Sequence, residues 1–112
     1  MSEVVTAVNT NSVIYPSRIK VSGLPFMLQG WNNVFYWTTE RRDNKPVYRL
    51  EPYVLYWTIP IIGVTIYSRN GKWVFQRDYD DEPLPDIYKY GAQSDPLGSW
   101  TMGMKVEPYD EY

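Results

Sequence analysis

Cysteine and histidine are both absent from this chain of 112 residues. The missing cysteine excludes disulfides, thiolate nucleophiles, and zinc–thiolate or iron–sulfur centres. The missing histidine excludes an imidazole base, a Ser-His-Asp triad and His-ligated metals. Acid–base chemistry would fall to Asp, Glu, Lys or Tyr, and no motif in the sequence arranges these residues as an active site. We therefore expect no enzyme activity, no catalytic residue, no metal and no cofactor.

Hydrophobic runs long enough to cross a bilayer are lacking as well. The longest apolar stretch, residues 53–67, is interrupted by Pro60 and Gly63, and it predicts buried sheet rather than a membrane span. The first residues, MSEVV, lack the basic and apolar regions of a secretory signal. Together with the missing cysteine, these features favour an intracellular protein that does not insert into membranes.

Charges of opposite sign are segregated along the chain, although its net charge is only −2. Residues 1–77 carry nine Lys or Arg and four Asp or Glu, whereas residues 78–112 carry two and nine. The predicted basic patch comprises Arg41, Arg42, Lys45, Arg49, Arg69 and Lys72, and the predicted acidic patch comprises Asp78, Asp80, Asp81 and Glu82. Such blocks can attract each other within one monomer, attract a charged partner, align copies head to tail, or simply stay solvated.

Aromatic and strand-forming residues are what the chain has in abundance, with 5 Trp, 11 Tyr and 3 Phe. Nine Pro and seven Gly interrupt it before a long helix can form. Short stretches rich in Val, Ile, Thr and aromatic residues predict strands, over residues 4–8, 18–22, 33–39, 47–51, 53–58, 61–69, 72–78, 87–90 and 100–106. We expect an all-β fold, either a single compact antiparallel β-sandwich or a partly open barrel.

The sequence Asn70-Gly71 predicts a hairpin with a type I′ turn, because both central residues of that turn need positive φ. The turn fixes the register of four facing pairs, which are Arg69–Lys72, Ser68–Trp73, Tyr67–Val74 and Ile66–Phe75. Ile66, Trp73 and Phe75 should then face the core. A second hairpin is expected to join residues 34–39 to residues 47–51 across a polar loop at 41–45.

The chain divides into three predicted regions. Residues 1–17 are polar enough to be an N-terminal arm or an added edge strand, residues 18–107 form the β-domain, and residues 108–112 form an acidic C-terminal tail.

Several different short motifs rich in aromatic residues follow one another over most of the chain. Residues 30–36 read GWNNVFY, 45–49 KPVYR, 55–57 LYW, 70–75 NGKWVF and 92–100 AQSDPLGSW. This order resembles a small β-domain scattered through protist, algal and large DNA virus proteins, with the pattern G-x-N-x-x-Y, r-P-v-Y, l-Y-w, G-x-W and P-x-x-x-W. The resemblance covers about residues 19–106 and implies an all-β module without catalytic residues or a cofactor.

Aromatic side chains inside predicted strands are expected in the core, namely Trp37, Trp57, Trp73 and Phe75. Trp31 and Trp100 follow glycine-containing turns, so they are the candidates for partial exposure. With Tyr36 and Tyr67 they form the predicted set of aromatic binding residues. Exposed rings of this kind stack on sugars or nucleobases, or anchor protein interfaces.

The favoured function is a non-catalytic β module that acts through protein–protein contacts, with a protein partner or by self-association. It would be a viral or protist structural or accessory protein, and virion association stays open. The first alternative is a carbohydrate-binding module that stacks sugars on surface Trp or Tyr. The second is contact with phosphates or nucleic acid through the basic loop, which the acidic pI of about 5.0 disfavours.

Overall fold

The chain is built almost entirely of short antiparallel strands. A computed structural model describes residues 7–10, 13–91 and 95–109, and all structural statements below refer to them. The strands are β1 (Ala7–Thr10), β2 (Val13–Pro16), β3 (Arg18–Ser22), β4 (Val34–Arg42), β5 (Lys45–Leu50), β6 (Tyr53–Leu55), β7 (Ile59–Ile61), β8 (Val64–Arg69), β9 (Lys72–Arg77), β10 (Tyr88–Tyr90), β11 (Gly98–Ser99) and β12 (Lys105–Pro108).

Eight strands form one antiparallel sheet in the order β10-β9-β8-β5-β4-β3-β12-β11, which curves into a nearly closed barrel. This confirms the predicted all-β class. One end strand of the sheet, β10, is linked to residues on either side of the other end strand, β11. Thr101 Oγ1 accepts a hydrogen bond from Tyr88 N at 2.9 Å, and Lys89 Nζ donates to Asp95 O at 3.0 Å.

The Asn70-Gly71 turn lies where the sequence predicts it. Both residues have positive φ, 52° and 83°, and β8 pairs with β9 in the predicted register. The predicted core face is confirmed, because its three side chains are fully buried: Ile66, Trp73 and Phe75. A second, smaller cluster covers part of the opposite face and contains Val47, Tyr67 and Val74.

β4 and β5 form the second predicted hairpin, with a shorter connection than expected. In place of a loop over residues 41–45, the chain has a two-residue turn, Asp43-Asn44, with φ of 53° and 59°. Arg42 therefore pairs with Lys45. Asp and Asn tolerate this left-handed conformation, so both strands continue up to the turn. A bulge between Trp37 and Arg41 shifts the register of β4.

Residues 51–63 leave the barrel, and the predicted strands 53–58 and 61–69 are only partly correct here, because residues 56–58 form a turn and residues 62–63 are not in a strand. Leu50 pairs directly with Val64, so the intervening residues are an excursion between two neighbouring barrel strands. β6 and β7 pair with each other as a separate hairpin, with Tyr53 opposite Ile61. Residues 53–61, predicted to be buried sheet, thus form a hairpin attached to the outside of the barrel.

Two 3-10 segments, Phe26–Trp31 and Thr101–Gly103, occur where no helix is predicted. The second replaces the first half of the predicted strand 100–106, because Met102 and Gly103 have positive φ, 60° and 74°, which a continuous strand does not allow. Neither of these segments, which are the helical parts of the described chain, has the length and hydropathy that crossing a bilayer requires.

The predicted N-terminal arm contributes a small hairpin of its own, since β1 pairs with β2. Tyr15 packs edge-on against Trp73 in the core, with ring centroids 6.3 Å apart. At the other end Pro108 closes β12, and Tyr109 N donates to Arg18 O at 3.0 Å. The predicted strand 4–8 and the predicted tail 108–112 fall partly outside the described residues, at 1–6 and 110–112.

Candidate interaction surface

Two uncharged parts of the chain meet on one side of the barrel. Residues 21–39 and residues 52–68 contain no Asp, Glu, Lys or Arg, although 21% of the chain is charged. The first part includes the 3-10 segment Phe26–Trp31, and the second includes the hairpin β6–β7. Because this hairpin packs on this segment, the two parts form one continuous uncharged surface.

Three contacts hold the base of the hairpin against the 3-10 segment. Tyr53 Oη donates a hydrogen bond to Gly30 O, and Trp31 Nε1 donates to Ile62 O at 3.1 Å. The side chain of Ile61 lies so close to the α-carbon of Gly30 that an added Cβ would clash with it. The hairpin is therefore fixed on both of its strands, and its tip projects from a rigid base.

Six large apolar side chains on this surface are exposed to solvent. We call them the apolar ridge: Phe26, Met27, Val54, Tyr56, Trp57 and Ile59. Trp57 is 94% exposed, Met27 86% and Phe26 77%. The three aromatic side chains offer about 150–250 Å² each, and with the three aliphatic ones the ridge presents on the order of 800 Å² of apolar area in total, spread over both faces of the hairpin.

The tip of the hairpin has a backbone conformation that its residues disfavour. Tyr56 and Trp57 both have positive φ, 53° and 62°. In the two barrel hairpins the corresponding pairs are Asp43-Asn44 and Asn70-Gly71, which are residues suited to left-handed φ. A bulky side chain in this region carries strain of about 1–3 kcal/mol, and such strain persists mainly at functional sites. Here it places two aromatic rings at the outermost point of the hairpin.

A groove lies beside the ridge, between the 3-10 segment and β7. Its volume is about 220 Å³, and it is lined by Met27, Leu28, Gly30, Trp31 and residues 59–62. All of these residues are uncharged. The surface therefore combines a projecting apolar tip with an apolar depression next to it.

The structure corrects the predicted placement of Trp100 and Trp57, whereas Trp31 is partly exposed, as its position after a turn predicts. Trp100 is only 6% exposed, and its Nε1 donates to Pro96 O at 2.7 Å, because the preceding turn directs the indole inward. Trp31 is half-buried and packs against Phe75, with ring centroids 5.5 Å apart. Trp57, predicted to be in the core, is exposed because its hairpin lies outside the barrel. Trp73 and Phe75 are buried as predicted, and Trp37 is half-buried.

Tyr36 and Tyr67, the other predicted aromatic binding residues, occupy different environments. Tyr36 is half-exposed on β4 and lines an open groove of about 440 Å³ together with Tyr53, Tyr109 and Glu51. Tyr67 is buried, and its Oη donates to a side-chain oxygen of the neighbouring strand. The four predicted aromatic residues therefore do not form one site.

The charge blocks attract each other within the monomer, which was one of the outcomes left open by the sequence. The ion pairs across the change of sign are Arg49–Asp78 at 2.7 Å, Arg77–Asp80 at 2.7 Å and Arg69–Glu82 at 3.0 Å. Arg49 makes two parallel hydrogen bonds to Asp78, and these raise the pKa of Arg49 above its ordinary value. Asp81, in the same acidic block, is exposed.

The remaining members of the predicted basic patch have separate local partners. The Arg41 and Arg42 guanidinium groups lie over the rings of Trp37 and Tyr67, at 5.4 and 4.3 Å from the centroids. Lys45 Nζ donates to Asp43 O at 3.2 Å, and Lys72 Nζ lies 4.8 Å from the Tyr88 ring centroid. Each of these four cations thus has a local partner within the monomer.

Sequence reasoning missed the ridge as a whole. Its hairpin residues fall in the apolar stretch 53–67, for which buried sheet is predicted, and Phe26 and Met27 lie outside every predicted strand. The signal that points to the ridge is the lack of charge over two long stretches that a single small barrel cannot both bury. A second signal is Tyr56-Trp57 itself, which lies between two short apolar strands where a turn residue is expected.

Comparison of the chain with protein-family models, with curated proteins and with solved structures gives no match. The resemblance to the protist, algal and large-virus β-domain thus stays a prediction. Over residues 7–10, 13–91 and 95–109, no group of three or more Asp, Glu, His or Cys residues is placed to hold a metal ion.

Proposed function

We propose that this protein is a non-catalytic β module that binds another protein through the apolar ridge. The observation that carries the proposal is the hairpin tip, where two aromatic side chains are held at positive φ on an uncharged surface. The centres of protein interfaces are enriched in Tyr, Trp, Phe and Met and depleted of charge. Residues that dominate binding energy are most often Trp, Tyr or Arg. The ridge has this composition.

The setting of this module is a further part of the proposal. The resemblance to the β-domain of protist, algal and large DNA virus proteins supports a structural or accessory role in such a system. The absence of cysteine supports an intracellular location.

Capture by the immobilised protein tests the proposed function, with Trp57→Ser as the ridge variant. The matched control is Tyr90→Ser, because Tyr90 is 70% exposed, close to the 66% of Tyr56. It also pairs with Lys72 beside the Asn70-Gly71 turn, at the end of β9 far from the hairpin. We expect Trp57→Ser to lose at least tenfold in retention of a specific protein, and Tyr90→Ser to retain it as the wild type does.

Two results would contradict this function. One is a protein partner that Trp57→Ser retains as well as the wild type. The other is flotation with phosphatidylcholine vesicles that Trp57→Ser abolishes, which would assign the ridge to a lipid surface.

The groove beside Tyr36 favours a second candidate function, the binding of a saccharide. Three tyrosines and the Glu51 carboxylate line it, which combines rings for stacking with a hydrogen-bond acceptor. A glycan array tests this candidate. We expect a hit that Tyr36→Ala loses and Tyr36→Phe keeps, since stacking needs the ring and not the hydroxyl. No hit, or a hit that Tyr36→Ala leaves intact, removes it.

A further inference from the structure

We propose that the partner of the apolar ridge is a second copy of this chain, with Trp57 of each copy inserted into the groove beside the ridge of the other. This inference rests on the proposed function and names its partner. The charge, the size and the shape of the described surface support it, and so do the hydrogen bonds at the edge of the barrel sheet.

The lack of charge on this surface favours a second copy as the partner. When a surface pairs with the same surface of another molecule, each charged group on it lies opposite or near an identical charged group. Like charges in contact oppose association. The ridge and the groove belong to residues 21–39 and 52–68, which carry no charged side chain. Two such surfaces can meet without placing any like charges in contact, whereas the rest of the molecule carries all of the charges and a net charge of −2.

Size is the second argument. A standard protein interface buries about 800 Å² on each partner, and the ridge exposes on the order of 800 Å² of apolar area. One ridge against one ridge therefore approaches the area of a stable interface, to which the lining of the groove adds. No additional surface from a larger partner is needed.

Shape is the third argument, since the same surface carries a projection and a depression of similar size. The groove of about 220 Å³ has the volume of about seven water molecules, which is room for one indole side chain. Trp57 stands almost free of its own molecule, on a tip whose base is fixed by Tyr53, Trp31 and Ile61. In a two-fold pair each copy supplies one Trp57 and receives one, so the contact closes on itself and growth stops at the dimer.

The barrel edges favour this surface over pairing through strands. Self-association of β proteins commonly adds a strand of one copy to an open sheet edge of another. Here two hydrogen bonds join β10 to residues on either side of β11, from Tyr88 N to Thr101 Oγ1 and from Lys89 Nζ to Asp95 O. The edge formed by β10 is thus partly occupied within the monomer, whereas the side chains of the ridge are exposed.

Sedimentation velocity over a wide range of protein concentration tests this proposal. We expect the wild type to pass from monomer to dimer as concentration rises. Trp57→Ser removes the projection and Met27→Lys places a charge at the rim of the groove, so each should raise the concentration at half-dimer by at least tenfold. Both positions are exposed, which leaves the fold intact, and far-ultraviolet circular dichroism checks this. Tyr90→Ser should dimerise as the wild type does.

Three results would overturn the proposal. The first is a wild type that stays monomeric at every concentration. The second is a dimer that both Trp57→Ser and Met27→Lys leave unchanged. The third is continued growth beyond the dimer, which excludes a closed two-fold contact. A monomeric wild type that still captures a different protein, and loses it with Trp57→Ser, would refute the second copy as partner and leave the proposed function standing.

Discussion

Gly30 is the residue on which the position of the hairpin depends most directly. Its α-carbon faces the Ile61 side chain, and its carbonyl oxygen accepts a hydrogen bond from the Tyr53 hydroxyl group. A methyl group at this position would lie 3.1 Å from Ile61 Cγ1 and closer still to Cδ1. The absence of a side chain is therefore what allows the hairpin to approach the 3-10 segment.

The variant Gly30→Ala should lower the free energy of unfolding by about 1–3 kcal/mol, the usual effect of overpacking. Urea denaturation measures it. The expected loss of stability comes from the clash with Ile61. The double variant Gly30→Ala/Ile61→Ala should therefore lower the free energy of unfolding by less than the sum of the two single substitutions. Additive effects in this double-mutant cycle would show that Ile61 is not the residue that opposes the new methyl group.

Tyr48 is a second residue with a consequence that can be measured. It is fully buried, and its hydroxyl donates to Pro16 O at 2.6 Å. Burial raises the pKa of Tyr48, and so, to a lesser degree, do the nearby Tyr15 and Asp95. The folded chain therefore keeps the phenol proton at a pH where the unfolded chain, with a tyrosine pKa of about 10, has lost it.

The ionisation of Tyr48 should not affect the free energy of unfolding below about pH 10, and above that value it should lower this free energy by up to about 1.4 kcal/mol per pH unit. The variant Tyr48→Phe should lose about 1 kcal/mol at pH 7, because Pro16 O loses its donor. Its stability should then decline less steeply from pH 10 to pH 11. Urea denaturation at several pH values measures both, and equal slopes for the two proteins would contradict the assignment.

At the scale of secondary structure elements, three hairpin turns form an internal comparison: the β4–β5 and β8–β9 loops have two residues, and the β6–β7 loop has three, in which Tyr56-Trp57 is the corresponding pair. All three pairs have positive φ at both residues. Two of them use Asp, Asn and Gly, and the third uses Tyr56-Trp57. The third turn therefore carries bulky side chains where the other two have residues suited to left-handed φ.

Replacing the tip by the pair found in the β8–β9 hairpin, as Tyr56→Asn/Trp57→Gly, should stabilise the dilute monomer by about 1–2 kcal/mol, because it relieves the disfavoured φ angles. Thermal and urea denaturation at low concentration measure this. The converse control is Gly71→Ala, which has open space around it and should destabilise by about 1 kcal/mol through φ alone. A tip replacement that destabilises the monomer would mean that Tyr56 and Trp57 serve its packing.

At the scale of the whole molecule, the ion pairs between the charge blocks tie the acidic segment after β9 to the barrel. Arg49 on β5 and Asp78 after β9 are joined across β8, and both are about 30% exposed. Exposed ion pairs contribute little to the free energy of unfolding, but those in which a guanidinium makes two parallel hydrogen bonds to a carboxylate are stronger than single contacts.

The variant Asp78→Asn should lower the free energy of unfolding by about 1 kcal/mol at low ionic strength. The loss should shrink in 1 M salt, where the Debye length is about 3 Å. Asp81→Asn is the matched control, since it removes the same charge from an exposed position in the same block, and it should stay within about 0.5 kcal/mol of the wild type. Equal losses for the two variants would show that only the net charge matters.

The barrel could be predicted from the sequence wherever local chemistry decides the structure. Asn70-Gly71 specifies its turn, and alternation around it specifies which side chains enter the core. The hairpin β6–β7 could not be predicted in this way. Its residues favour strands, and strands are what they form. Whether these strands lie inside or outside the barrel depends on the pairing of Leu50 with Val64, which is a tertiary contact. For the same reason Trp57, at the tip of this hairpin, is exposed and not in the core.

The most direct test of the ridge as a self-complementary interface is sedimentation equilibrium of the wild type and of Tyr56→Asn/Trp57→Gly at the same concentrations. This variant keeps the barrel and improves the turn, so misfolding does not explain a loss of association. We predict a wild-type dimer and a variant that stays monomeric where the wild type is dimeric. A variant that associates as strongly as the wild type would contradict the account.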